Sequence, residues 1–355
     1  MNYDVIICGG GPAGSTCATC CASSGMKTLV IEKALFPRDK VCGDCINPSC
    51  WPVLERLQIA DRVLGLSHSK LAGVEFIGID GRSISYPLRP SERGEIAVKR
   101  SIFDHLLLQH AIECGAEVRQ NASVTAVERG WKVYAGSEVF NAQTLIAADG
   151  RNSTVLRLLG ILPAAAKERV SIQTHIPTPV GFGERVVLRF LREGYCGYNT
   201  VGDGLLNLCL VSKPDDISAL KRWSEKHFSI TSGQQWRTIT PLARDPVPAS
   251  AENLLVIGDA ARVVEPFTGE GIYYALASGE LAAKYVSKKL PFQDYRRENA
   301  QLYSGRLWVN RISKYAALHP RVASLALDAM RLYPPSLRFL TSKVVGDALL
   351  MEADR

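Results

Sequence analysis

Two rhythms of apolar and polar residues run along the chain. The first is a set of short, nearly continuous apolar runs: Tyr3-Asp-Val-Ile-Ile-Cys8, Thr28-Leu-Val-Ile31, Leu145-Ile-Ala-Ala148 and the run closing at Val256-Ile257. Runs of this kind, bounded by glycine or an acid, predict strands buried on both faces of a parallel sheet. The second rhythm is alternation, in Gly73-Val-Glu-Phe-Ile77, Ser83-Ile-Ser-Tyr86, Arg169-Val-Ser-Ile-Gln-Thr-His175, Arg185-Val-Val-Leu-Arg-Phe190 and Leu205-Leu-Asn-Leu-Cys-Leu-Val211. A period of two predicts antiparallel strands. Helical patterns open after Gly14, at Arg100-Ser101, and over residues 215–227 behind Lys213-Pro214. Residues 291–355 read as mostly helical, broken at Pro320 and Pro334-Pro335. Their apolar stripes include Leu302, Trp308, Ile312, Leu325, Leu327, Leu332, Leu337 and Leu340. The fold class is α/β, without internal repeats or low-complexity tracts.

The residues at the ends of the apolar runs give them chemistry. Residues 3–8 lead into Gly9-Gly-Gly11-Pro12-Ala13-Gly14, the G-x-G-x-x-G spacing. The first glycine permits the tight turn, the second lets the backbone approach a pyrophosphate, and the third lets helix and strand pack closely. The second run ends at Glu32, 18 residues past Gly14, where a carboxylate can accept hydrogen bonds from an adenosine ribose. A third run ends at Asp149-Gly150, before a helix capped by Asn152 or Ser153. The last ends at Gly258-Asp259, and after Pro266 the turn Gly269-Glu270-Gly271-Ile272 opens a helix. Arg100, at the start of its own helix, is placed to reach back to a phosphate or ribityl group. A carboxylate at a strand end and backbone N–H groups at a helix start suit a flavin nucleotide. Its ribityl hydroxyls need an acceptor, and its reduced ring carries negative charge. These markers are far apart in sequence and must meet in space. We therefore expect a discontinuous, Rossmann-like FAD-binding domain of residues 1–70, 99–160 and 245–290. Residues 71–98 and 161–244 form an inserted antiparallel-sheet substrate domain, and 291–355 a C-terminal helical region.

The markers resemble those of FAD-dependent oxidoreductases of the p-hydroxybenzoate hydroxylase fold, and within it the geranylgeranyl reductase-like flavoproteins. The likeness spans about residues 3–290. Its most specific part is Phe36-Pro-Arg38-Asp-Lys40-Val-Cys42-Gly43-Asp44, with Asn47-Pro48 close behind. In that family an R-x-K-x-C-G-[GD] segment lies beside the flavin, and its cysteine is implicated in catalysis. The resemblance implies Glu32, Arg100 and Asp259 as FAD contacts, together with Gly9, Gly11 and Gly14. The remaining expected contacts are Pro12, Ala13, Lys33, Lys40, Cys42, Gly43, Val124, Asp149, Gly150, Gly258, Pro266, Gly269, Gly271 and Ile272. The chain departs from the family in two places. A Y-x-W-x-F-P segment that lines the family's substrate cavity corresponds here to Tyr195-Cys-Gly197-Tyr198, without the tryptophan, so substrate class does not transfer. Cys45 stands where glycine is expected.

Composition narrows the setting. At 355 residues and 46% apolar content the chain can build two lobes. No stretch reaches the roughly 18 apolar residues of a membrane span, and no basic region precedes the first apolar run. A cytoplasmic protein without a signal peptide is expected. Among ten cysteines, Cys17-x-x-Cys20 and Cys42-x-x-Cys45 superficially resemble metal ligands. The first pair, however, lies inside the fingerprint helix with Cys21 adjacent, and no metal is expected. Cys8, Cys17, Cys20, Cys21, Cys114 and Cys209 read as small core residues. Cys42 is either a functional thiol, with Cys45 or Cys50 as redox partners, or a buried loop thiol. The net charge of +7 is concentrated late, for example at Lys284, Lys288, Lys289, Arg311, Lys314, Arg321, Arg331, Arg338 and Lys343. Two readings of this tail stand: a helical cap with a solvated basic face, or contact with an anionic membrane surface or acidic carrier protein. No nucleic-acid recognition module is present.

A flavin carries the redox chemistry while the protein supplies position and field. The favoured activity is reduction of a carbon–carbon double bond in a hydrophobic substrate, prenyl-lipid-like or polyketide-like. Cys42 is the candidate catalytic residue, and Tyr195 and Tyr198 are candidates to line the cavity. The alternative is a flavin-dependent monooxygenase that hydroxylates or epoxidises a small or aromatic molecule. The fold supports both; the Cys42-Gly43-Asp44 segment favours the reductase. A halogenase is disfavoured because no W-x-W-x-I-P segment occurs. A flavin-free prenyl-chain escort is disfavoured because Glu32, Asp149 and Asp259 are all present. With no second glycine fingerprint behind a strand, the electron donor is transient NAD(P)H, a flavin reductase or a ferredoxin-like protein.

Overall fold

A computed structural model describes residues 1–88, 91–166, 169–248, 250–251, 253–265, 269–304 and 307–333. The apolar runs build one sheet. Strands Glu117–Arg119, Thr28–Ile31, Asn2–Cys8, Glu138–Ala147 and Leu254–Val256 lie side by side in that order, all parallel. Alternate residues of the central strand face opposite cores. Val5 and Ile7 meet helices Pro12–Ser23, Arg100–Glu113 and Gly271–Ser287. Ile6 and Cys8 join the core of the hairpin Val124–Glu128 and Lys132–Ala135. Covered on both faces, these strands have no use for polar alternation, which is why the sequence reads as unbroken apolar runs.

The sharpest packing is around Ala13. A Cβ on Gly14 would lie 1.9 Å from the Gly9 carbonyl oxygen, one on Gly279 would lie 2.4 Å from the Ala13 carbonyl oxygen, and one on Gly258 would lie 2.9 Å from the Ala13 Cβ. Three segments therefore meet at a point that only glycine backbone fits. Cys17 and Cys21 fill the same interface as wholly buried small residues.

The alternating segments build the second sheet, in the order Arg237–Ile239, Val170–Pro177, Leu205–Ser212, Gly194–Thr200, Arg185–Leu191, Gly73–Ile77 and Ser83–Pro87. Its pairings are antiparallel except one: Arg185–Leu191 runs parallel to Gly73–Ile77. The expected antiparallel sheet is thus mixed at this seam. The two strands enter from different insertions, and the long stretch between them removes the geometric demand of a hairpin. One face of the sheet, with Ile172, Val187, Cys196, Leu208 and Leu210, packs under helix Ile217–His227. The other face, with Phe190, Tyr195 and Val211, meets Ala323 and Leu327 of helix Pro320–Leu332.

The C-terminal helices Phe292–Tyr303, Leu307–Leu318 and Pro320–Leu332 complete the described chain, the last starting on the proline that interrupts the pattern. Pro334-Pro335, Leu337, Arg338, Leu340 and Lys343 lie outside the described residues. Among the described residues no helix is long and apolar enough to cross a membrane. A third, minimal sheet escaped the sequence patterns: Cys45–Ile46 and Ser69–Lys70 both pair with Ile96–Ala97. Two-residue strands carry no period to detect. Gly279→Ala is expected to cost about 1–3 kcal/mol by overpacking the crossing, read as a lower thermal melting temperature than wild type.

Candidate active site

The glycine turn forms a cradle. Gly9 is in the left-handed region at φ +110°, and a Cβ there would sit 2.5 Å from the Ala148 carbonyl oxygen. Gly11 by contrast faces open space, its nearest neighbour being Arg38 Nη2 at 3.5 Å. Gly11 caps helix Pro12–Ser23 without a side-chain hydrogen bond, so the helix's first N–H groups point toward the cavity with no side-chain cap. Glu32 accepts from Gly10 N at 2.7 Å and Ala34 N at 2.8 Å, one bond on each carboxylate oxygen. Each oxygen keeps a lone pair for a ribose hydroxyl. Lys33 and Val124 lie on the same wall. Asp149 caps helix Thr154–Leu158 through Thr154 N and Val155 N, while Ser153, rather than Asn152, makes the side-chain cap to Leu156 N. The second Asp149 oxygen is buried without a partner at the cavity wall. Burial raises this carboxyl above the ordinary Asp range, and the Ser153 side chain and the backbone donors work against that.

Four cations converge beside the cradle: Arg38, Lys40, Arg100 and Arg151 all line the cavity. Asp259, at the turn Gly258–Ala260, pairs with Arg151 at 2.9 Å. Arg100, expected as a cofactor contact, lines the cavity and is held from its own helix. Its guanidinium folds back on that helix to Asp104 at 2.6 and 2.8 Å, and Arg38 reaches the same wholly buried carboxylate at 3.1 Å. The R-x-x-x-D spacing was the available signal for Asp104. Burial lowers the Lys40 ammonium to about 8; Asp259 opposes this, while Arg151, Arg100 and Arg38 reinforce it. Arg38 and Arg100 share the single carboxylate of Asp104, and a bound anion would relieve this local crowding of cations. Open first-turn N–H groups, an unmet acceptor on Asp149 and this cluster of cations fit FAD. The cradle and cations would hold the pyrophosphate, Glu32 the ribose, and Asp149 or Asp259 the ribityl hydroxyls.

Gly43, Gly150, Gly269, Gly271 and Ile272 also line the cavity. Gly14 and Gly258 are expected contacts that do not. They work one layer behind, where their missing Cβ atoms let the helices close. Pro266 lies outside the described residues, as does Phe267.

The Cys42 segment is gripped by the second sheet. The Cys42 carbonyl oxygen accepts from Gln173 Nε2 at 2.9 Å, Asn207 Nδ2 at 2.9 Å and Cys209 Sγ at 3.2 Å. Asp44, wholly buried with φ +61°, pairs with His175 Nε2 at 2.9 Å. Burial raises the Asp44 carboxyl, and His175 pulls it back. Gln173, His175 and Asn207 share one sheet face, and no motif or spacing signals that they meet this loop. Burial likewise pushes the Cys42 thiol up, with Arg100 acting against it.

The same cavity, about 700 Å³ in all, runs on from that loop along the same sheet face. Val74, Phe76, Leu188, Phe190, Val211 and Ile239 form its wall, and Ala316, Ala323, Leu327 and Met330 of the C-terminal helices roof it. Tyr195 and Tyr198 both touch it, yet they sit three residues apart on a strand and so face opposite ways. Tyr195 packs with Phe190 on the cavity face. The Tyr198 ring is committed to Phe182 and Phe228 on the far face, with centroids 5.7 and 5.1 Å away. A bidentate buried pair, Arg169 with Glu265 at 2.8–2.9 Å, joins the start of strand Val170–Pro177 to the chain entering the 269–272 turn.

Comparison with known proteins agrees with this geometry. Residues 2–181, just over half of the chain, match the FAD binding domain family. A geranylgeranyl diphosphate reductase from Rhodobacter capsulatus is 30% identical over 305 residues, covering 80% of this chain and 75% of that one. Among solved structures, a geranylgeranyl bacteriochlorophyll reductase-like protein from Thermoplasma acidophilum superposes with a TM-score of 0.78 at 24% identity, covering 98% of this chain and 95% of that one. A flavin-dependent brominase superposes almost as well, with a TM-score of 0.77 at 21% identity and coverage of 96% and 94%. At these identities the structural likenesses speak for the fold alone. The matched cradle and the reductase relative together make this chain a member of the geranylgeranyl reductase-like family of FAD-dependent oxidoreductases.

Proposed function

We propose that this protein reduces a carbon–carbon double bond of a hydrophobic substrate, prenyl-lipid-like or polyketide-like. The observation that carries the reading is one continuous cavity with two chemistries: a cationic, N–H-lined cradle at one end and an apolar chamber at the other, with the Cys42 loop at the junction. FAD, when bound, supplies the hydride. The protein's own residues do the rest. Phe76, Leu188, Phe190 and Val211 take up an apolar chain and exclude water. Cys42, raised by burial, stays a neutral thiol and bounds the place where the double bond rests. Electrons reach the FAD from transient NAD(P)H or from a donor protein.

The outer side of the roof supports a source for such a substrate. Leu325 is 69% exposed and Leu332 88% exposed, with the exposed cations Arg311 and Arg321 on the same helix pair. Apolar side chains beside cations suit an anionic membrane surface. The alternative activity, monooxygenation, uses the same fold but finds less use for a chamber roofed by alanine, leucine and methionine.

Asp259→Ala is expected to lose FAD on purification, read as the flavin-to-protein absorbance ratio; a full complement would remove Asp259 from the cofactor set. Cys42→Ser should keep FAD and slow turnover by about 10–100-fold through misplacement of the reacting carbons; unchanged turnover would leave Cys42 as packing. Vesicles containing anionic lipid should sediment the wild type, and an Arg311→Glu, Arg321→Glu double variant should stay in the supernatant. The activity itself is tested by mixing anaerobically reduced protein with geranylgeranyl diphosphate or a menaquinone. Flavin reoxidation with loss of the double bond supports reduction. Reoxidation only by dioxygen, with oxygen incorporated into a product, would replace it with monooxygenation.

A further inference from the structure

The chamber holds one acid whose carboxyl is not committed to another task. Of the cavity's carboxylates, Glu32 is held by backbone N–H groups, Asp149 caps a helix, Asp259 pairs with Arg151 and Asp39 pairs with Arg237. Glu95 also lines the cavity, and among the described residues no cation or hydrogen-bond donor pairs with its side chain. Its backbone is fixed all the same: the Glu95 carbonyl accepts from Leu71 N at 3.0 Å, and the strand Ile96–Ala97 starts immediately after it.

The minimal third sheet decides where Glu95 faces. Cys45 pairs with Ala97 and Ile46 with Ile96. Ile46 and Ile96 point into the buried cluster of Trp51, Leu54 and Phe103. By strand alternation Glu95 and Ala97 share the opposite side, that of Cys45. Cys45 and Glu95 are both on the cavity wall, as this requires, and Cys42 and Gly43 are on it too. The loop bearing Cys42 and the strand that Glu95 precedes are thus hydrogen-bonded neighbours at one wall.

We propose that Glu95 is the catalytic acid that protonates the substrate double bond. This rests on the reductive activity proposed above. With reduced FAD bound, one carbon of the double bond would receive its hydride while the π pair moves to the second carbon. The second carbon takes the proton from the Glu95 carboxyl as that O–H bond breaks. The carboxylate regains a proton from solvent, and the two electrons that bound FAD would supply would be replaced by the nicotinamide or protein donor. Burial raises the Glu95 carboxyl to about 7. That matches the requirement that a general acid be protonated at neutral pH yet still give up its proton. The titratable groups facing it are the thiols of Cys45 and Cys50, which burial keeps protonated. The Tyr195 hydroxyl, pushed well up by burial, is a far weaker acid, and Tyr198 at about 12 is little better.

The test uses the FAD-loaded protein and the isosteric variant Glu95→Gln, with Glu95→Asp as the conservative partner. Both are expected to hold FAD and be reduced as wild type. In single turnovers with geranylgeranyl diphosphate, Glu95→Gln should lose about 10²–10⁴-fold in rate. The wild-type rate should fall as pH rises through about 7, and Glu95→Asp should retain part of it. A second readout needs no turnover. A carboxyl raised on folding contributes stability that is full below its ordinary range near 4.5 and is lost as pH rises through about 7. Oxidised, substrate-free wild type should therefore lose melting temperature relative to Glu95→Gln between pH 5 and pH 8. Equal single-turnover rates in wild type and Glu95→Gln, or a constant melting difference across that range, would overturn the assignment while leaving the reductive activity intact. A wild type that reduces neither the prenyl diphosphate nor a menaquinone would overturn the activity, and the assignment with it, whatever the melting curves do.

Discussion

The molecule depends on a place where side chains are forbidden. Around Ala13 the N-terminal glycine turn, the Gly258–Ala260 turn and the helix Gly271–Ser287 press together at distances that leave no room for a Cβ on Gly14, Gly258 or Gly279. This contact draws Gly9, Asp259 and Ile272 onto one cavity wall although some 250 residues separate them. Close backbone approach thus does the work that a long-range ion pair or disulfide does elsewhere.

A second division comes from strand alternation. The large mixed sheet gives one face to the helix Ile217–His227 and an ordinary aromatic core, and the other to the cavity. Along the cavity face the chemistry changes with position. Gln173, His175 and Asn207 grip the Cys42 loop, and farther on Leu188, Phe190 and Val211 are wholly apolar. Across the cavity the cradle gathers Arg38, Lys40, Arg100 and Arg151. A ligand with an anionic head and an apolar neighbour is therefore sorted by solvation alone, before any specific contact forms.

Much of this was legible in the sequence, for physical reasons that differ by element. Parallel strands and the glycine turn were readable because burial on both faces and the steric demands of the turn leave few residue choices. The alternating strands and the helix break at Pro320 were readable from period and from proline's missing N–H. The parallel seam between Gly73–Ile77 and Arg185–Leu191 was not, because register between distant insertions leaves no mark on either strand. Arg100 was legible as a cavity residue but not as the partner of Asp104. The grip on Cys42 was illegible for a deeper reason: it acts on a carbonyl oxygen, which every residue has. Glu95 was hidden too, since a lone glutamate before a two-residue strand looks like any loop acid until the cavity encloses it.

That carbonyl grip has an evolutionary consequence. Three donors from the sheet hold residue 42 by its main chain, and Asp44 anchors the loop two residues on. The side chain at 42 takes no part in this grip. Mutation can exchange the group presented to the substrate without remaking the socket that presents it. Loop geometry and reaction type can then drift independently, so one scaffold can carry several chemistries among its descendants.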